Sequence, residues 1–192
     1  MRLIDDEDLS FCLTVSDGVE LGELLHVMGA DEVLPVRQTF DDFAWETHQI
    51  GSTGLINVFE DDGLLVTLEN NGFMGVQRKT LLHMAEVTKS IGHYIALYKS
   101  AGNGGHYRYV EVQDGMILAN FDPMEGEVPE IVEEFFGTDE SMVRKMVKAL
   151  EYRMEMQSSP EWFTDPADTY VIDYRRGDVG EEEGSHQLPM EA

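Results

Sequence analysis

Cysteine is nearly absent from this chain of 192 residues: Cys12 stands alone, so no internal disulfide can form, which fits a reducing compartment. Between Phe11 and Leu13 it reads as a small buried hydrophobe rather than a nucleophile. No stretch approaches the roughly 18 consecutive apolar residues of a membrane span. No charged-then-apolar leader opens the chain either, because Met1-Arg2-Leu3-Ile4 runs straight into Asp5-Asp6-Glu7-Asp8. The expected location is therefore the cytoplasm. Basic residues are also scarce, 13 Lys and Arg against 38 Asp and Glu, a net charge of −25. A field of that sign repels nucleic acid and anionic membrane, and it favours a basic protein partner or simple solubility.

Motifs with defined chemistry are missing as well. Gly102-Asn103-Gly104-Gly105 has neither the strand-to-helix setting nor the Lys-Ser/Thr of a phosphate loop, and it reads as a hairpin connection. The six histidines, at 26, 48, 83, 93, 106 and 186, show no HxxxH pair and no adjacent cysteine, so neither a metal nor a cofactor is expected. No Gly-x-Ser-x-Gly elbow appears, and no catalytic residue is assigned. His93 and His106 are expected to face each other across a hairpin. His26 is expected to be partly buried beside a helix stripe and bonded to backbone.

What is present is a scaffold centred on residues 55–121. Leu55 to Phe59 and Leu64 to Leu68 are nearly continuous apolar runs joined by Asp61-Asp62-Gly63, the signature of a central hairpin covered on both faces. A turn at 69–75, a helix over 78–90, and three strands at 93–100, 106–113 and 116–121 follow, the last three alternating as strands with one wet face do. Before this core, 11–15 predicts a strand and 19–28 a helix capped by Asp17, with Leu21, Leu24, Leu25 and Met28 as its stripe and Gly29 as its stop. Pro35 makes 31–37 an irregular link or edge strand. The run from Phe40 to Glu46 reads as a helical turn in which Asp41 and Asp42 serve as caps. After the core, 127–137 predicts a short acidic helix or turn. A long helix capped by Thr138 or Asp139 then runs to about Met156, with Glu140 facing Arg144 and a methionine-rich stripe packed in the core. The fold class is α+β: a mostly antiparallel sheet of about five to seven strands with helices on it. Residues 1–157 form the domain, with 1–9 as an acidic arm. Residues 158–174 form an extended segment docking on the domain or a partner, and 175–192 a disordered acidic tail.

Glu69-x-Asn71-Gly72-Phe73-x-Gly75, followed by Asp114-Gly115 and Phe121-Asp122-Pro123, resembles an actinobacterial and phage-associated family of domains of unknown function, over about residues 10–155. The resemblance implies a fold and a bacterial or bacteriophage origin, and it supplies no catalytic residue.

Charge is unevenly spread. Residues 1–72 hold 16 acids and 2 bases, residues 73–120 hold 3 and 5, and residues 121–138 hold six acids and no base. Acids with aromatic neighbours around 41–45, 69–73 and 125–136 mark a negatively charged face with apolar anchors, in which Asp41, Asp42, Trp45, Glu69, Asn71, Phe73, Glu133 and Glu134 are the expected partner-binding residues. The leading expectation is a non-catalytic interaction module of the immunity, antitoxin-like or phage-encoded host-modulating kind. The alternatives are an enzyme with a dispersed acid and histidine site, and a DNA mimic that occupies a nucleic-acid-binding protein.

Overall fold

The structure is a computed structural model and describes residues 9–34, 37–40, 42, 53–89, 92–101 and 105–173, apart from the side chains of Asp31, Glu32 and Thr53. The expected arm of residues 1–9, except Leu9, and the tail from 175 onward lie outside the described residues.

Chain order is β1 (Phe11–Asp17), α1 (Leu21–Met28), β2 (Ala30–Val33), β3 (Thr53–Asp61), β4 (Leu64–Asn70), a 3-10 turn at Met74–Val76, and α2 (Arg78–Val87). There follow β5 (His93–Lys99), β6 (Tyr107–Gln113), β7 (Met116–Phe121), α3 (Glu133–Phe136), α4 (Met142–Arg153), α5 (Glu161–Thr164) and β8 (Asp168–Asp173). The fold is α+β. Among the described residues eight strands join one antiparallel sheet in the order β2-β8-β3-β4-β1-β5-β6-β7, with helices packed on it.

Period-2 alternation divides the strand side chains between two cores. Phe11, Leu13, Val15, Val66, Leu68, Ile95, Leu97 and Tyr109 pack under α4 and α5 with Val143, Met146, Leu150, Trp162 and Phe163. On the other face Ile56, Val58, Tyr94, Ala96, Val110 and Val112 pack under α1 and α2 with Leu24, Met28, Leu81 and Met84. Helices on both faces explain why β1, β4 and β5 are buried almost throughout. The wet face expected for the last three strands is found only at β7, where Met116 and Ile117 are exposed.

Local signals fixed most ends. Gly29 closes α1 at φ 69°, a left-handed conformation that glycine enters without strain. Asp17 is not the cap of α1: it ends β1, and Glu20 occupies the cap position without a side-chain bond. Ser141, rather than Thr138 or Asp139, caps α4 by accepting from the Arg144 N–H, and Glu140 pairs with Lys148 at 2.7 Å. Met146 and Met154 are buried, as core packing of the stripe requires. His26 is exposed, not half-buried.

The segment after residue 158 is built into the fold. Trp162 and Phe163 are buried, Phe163 against the edges of Phe11 and Phe40. β8 slots between β3 and β2, where Thr169 Oγ1 donates to Asn57 Oδ1 at 2.8 Å and Asn57 Nδ2 donates to the Gln38 carbonyl at 3.1 Å. Among the described residues no helix is long and apolar enough to cross a membrane.

Candidate functional site

The 69–75 motif is a fold device. β4 leaves Glu69 pointing at the α1/α2 face, where it is fully buried and therefore no surface anchor, contrary to expectation. Its two carboxylate oxygens accept the Met74 and Gly75 N–H groups at 3.1 Å each, holding the chain as it turns into the 3-10 segment. Asn71 supplies the left-handed residue of that turn at φ 55°. A Cβ on Gly72 would overlap the Glu69 carboxylate. One on Gly75 would overlap the Thr14 methyl and stand 2.9 Å from Cys12 Sγ. Tyr94 closes the pocket by donating to the Gly75 carbonyl at 2.6 Å.

Burial pushes the Glu69 carboxyl up, the two N–H bonds and the Cys12 thiol pull it back, and it settles at about 7. Burial and the neighbouring Glu69 charge push the Cys12 thiol well up. Cys12 is therefore expected to resist iodoacetamide at pH 8 in the folded protein and to gain one adduct only in denaturant. Labelling of the native chain at the rate of a free thiol, read by mass spectrometry, would refute this burial.

The other expected anchors separate. Phe73 is 46% exposed and packs edge-on to Tyr98. Asp42 is exposed and accepts from the Thr39 N–H and hydroxyl at 3.0 and 2.8 Å; these bonds hold its carboxyl below the usual range, and they fit the capping role. Asp41 and Trp45 lie outside the described residues. Glu133 and Glu134 are exposed in the first turn of α3.

Around those two glutamates the structure assembles a ledge from residues 122–134. Asp122 accepts from the Met124 N–H at 2.8 Å and its carbonyl accepts from Gly126 at 2.9 Å. Val132 is fully buried in the α4 core, and Phe136 meets Tyr109 and Phe121 edge-on, so both ends of the ledge are pinned. Glu125, Glu127, Glu130, Glu133 and Glu134 are exposed along it, with Met124 at 63% and Ile131 at 38% exposure between them.

A second cluster escaped sequence reasoning. Glu111, fully buried on β6, accepts at Oε1 from His93 Nε2 at 3.0 Å and from Arg153 Nε and Nη2 at 2.8 and 2.6 Å. Its Oε2 accepts from the Tyr109 hydroxyl at 3.2 Å. Burial alone would raise the Glu111 carboxyl, but the His93 and Arg153 bonds outweigh it and hold the group below the usual carboxylate range. Burial and the adjacent carboxylate raise the Tyr109 phenol. His93 and Arg153 open into a cleft of about 270 Å³ shared with Asp17, Gln113, Asp114 and Glu155. His106 is remote: His93 sits opposite Gln113, whereas His106 lies beyond the Lys99–Tyr107 pair at the other end of the hairpin. The only signal in the sequence was an acid inside the alternating strand Tyr109-Val110-Glu111-Val112, on the face that Tyr109 buries.

A larger cleft, about 420 Å³, lies beside Trp162, whose Nε1 donates to Asp61 at 3.0 Å; Arg37, Glu60 and Asp165 share its wall. Among the described residues no group of three or more His, Cys, Asp or Glu side chains is placed to hold a metal ion. Compared with known proteins, the chain matches no family model, no curated protein and no solved structure.

Proposed function

We propose that this chain is a non-catalytic, acidic interaction module that takes a basic protein partner on the 122–134 ledge. The observation that carries the reading is the ledge itself: six acids and no base, around the exposed Met124 and Ile131, on a backbone anchored at Val132 and Phe136. Charge of one sign speeds encounter with an oppositely charged partner, and apolar anchors lengthen the life of the complex. Anchoring also reduces the ordering that binding would otherwise require. The resemblance to actinobacterial and phage-associated domains supports a bacterial or phage setting, in which an immunity or antitoxin-like role, or the modulation of a host protein, fits such a surface.

The test is a nuclear magnetic resonance titration with a short lysine-rich peptide carrying two leucines. Amide shifts should concentrate at residues 122–134. Glu133→Lys with Glu134→Lys should weaken binding roughly tenfold, and added salt should weaken it further. Shifts spread evenly over the exposed carboxylates, or an unaffected charge-reversal variant, would overturn the proposal.

The enzyme alternative draws on His93 held by Glu111 at the smaller cleft. Glu69 is enclosed elsewhere and His106 is remote, so neither joins His93 there.

A further inference from the structure

The smaller cleft has an ion-paired floor, Arg153 on Glu111, and an anionic rim. Arg153 spends Nε and Nη2 on Glu111, with Nη2 also 3.4 Å from Gln113 Oε1, so among the described residues Nη1 has no acceptor. His93 commits Nε2 to the same carboxylate and likewise has no described partner at Nδ1. Both side chains line the cleft and retain exposure, 22% and 12%. Around them stand Asp17, Asp114 and Glu155, exposed and without an ion pair among the described residues. Two of the three sit on backbone that non-glycine residues rarely adopt, Asp114 at φ 49° and Glu155 at φ 52°, where the β6–β7 turn and the end of α4 meet the cleft.

Ions of a single sign leave part of this arrangement unmet. A lone anion on Arg153 Nη1 meets three rim carboxylates besides Glu111, and a lone cation drawn to the rim leaves Nη1 without an acceptor. A molecule carrying both charges a few bonds apart satisfies each end. The volume, about 270 Å³, is just below the usual range for drug-sized ligands and suits something the size of an amino acid. We propose that this cleft binds a small zwitterion of the α-amino carboxylate class, with its carboxylate on Arg153 and its ammonium among Asp17, Asp114 and Glu155. Glu111 is a positioning residue here. It touches no ligand and fixes Arg153 and His93 at the floor.

The full chain is titrated with L-glutamine and with L-leucine while the amides of Gly92, Asp114 and Glu155 are followed by nuclear magnetic resonance. Acetate, methylammonium and N-acetyl-leucine are the comparison probes. The amino acids should give saturable shifts, and each single-charge probe should bind roughly tenfold more weakly or worse. Asp17→Asn combined with Asp114→Asn should weaken the amino acids by a similar factor and leave acetate unweakened. Asparagine tolerates the turn at 114, so the double variant keeps the fold while changing the rim. No saturable shift with either amino acid, or equal binding of N-acetyl-leucine, would overturn the site. Neither outcome bears on the ledge, which is read with a different probe at different residues.

Discussion

Replacing Glu111 by alanine is expected to destabilise the protein by about 3 kcal/mol, read as a shift in the urea midpoint at pH 7. The change strips three donors, His93 Nε2, Arg153 Nε and Arg153 Nη2, of a fully buried acceptor, and leaves the buried Tyr109 hydroxyl without its partner. Breaking a buried charge pair from one side typically costs about 3–5 kcal/mol, and the lower end applies because Arg153 is 22% exposed and can turn toward water. Glu111→Gln keeps the shape and one acceptor oxygen, and its amide can donate to Tyr109, so its loss should be about half as large. A loss below about 1 kcal/mol for alanine would mean that the cluster adds nothing to the attachment of α4 to the sheet.

Glu69 gives the second large effect, and its sign is opposite. Its folded value of about 7 lies above the ordinary 4.5, so the folded chain binds the proton more tightly than the unfolded chain. The resulting stability is complete below about pH 4.5 and is lost as pH rises through 7, a swing of about 3 kcal/mol. Glu111, held below its usual value, does the reverse: its stability is present above pH 4.5 and is lost as pH falls below it. Wild-type stability should therefore peak on the acid side of neutrality. Glu69→Gln isolates the first contribution. At pH 4.5 the variant should be the less stable, because an amide nitrogen cannot accept the second of the Met74 and Gly75 N–H groups. By pH 8 the gap should close or invert. Urea midpoints of both proteins across that range decide the matter, and a constant gap would refute the buried-proton account.

Much of the fold was legible because its signals are local. The stripe Leu24, Leu25, Met28, the stop at Gly29 and the turn Asp61-Asp62-Gly63 each need only a few neighbours to be read. The errors have a common physical origin. Glu69 was assigned to the surface because glutamate usually lies there, and nothing in its own strand reveals the N–H groups five and six residues on that hold it inside. Glu111 meets partners 18 and 42 residues away, and β8 joins β3 across more than a hundred, distances over which periodicity carries no information. Of the expected anchors, Glu133 and Glu134 lie together on the ledge, while Phe73 and Asp42 lie on other parts of the surface.

The place of β8 also sets the timing of assembly. On the ribosome, β1, β4, β5 and β6 can zip together as they emerge, but β3 must wait with one side open until residues beyond 167 have been made. During that interval Leu55, Ile56 and Val58 lie along a free border that invites pairing with any passing strand. β2, which among the described residues pairs with β8 alone, has nowhere to attach until then. The nascent molecule thus stays half-finished until the strand Asp168–Asp173 has been made, and its greatest exposure to misassembly falls in that wait.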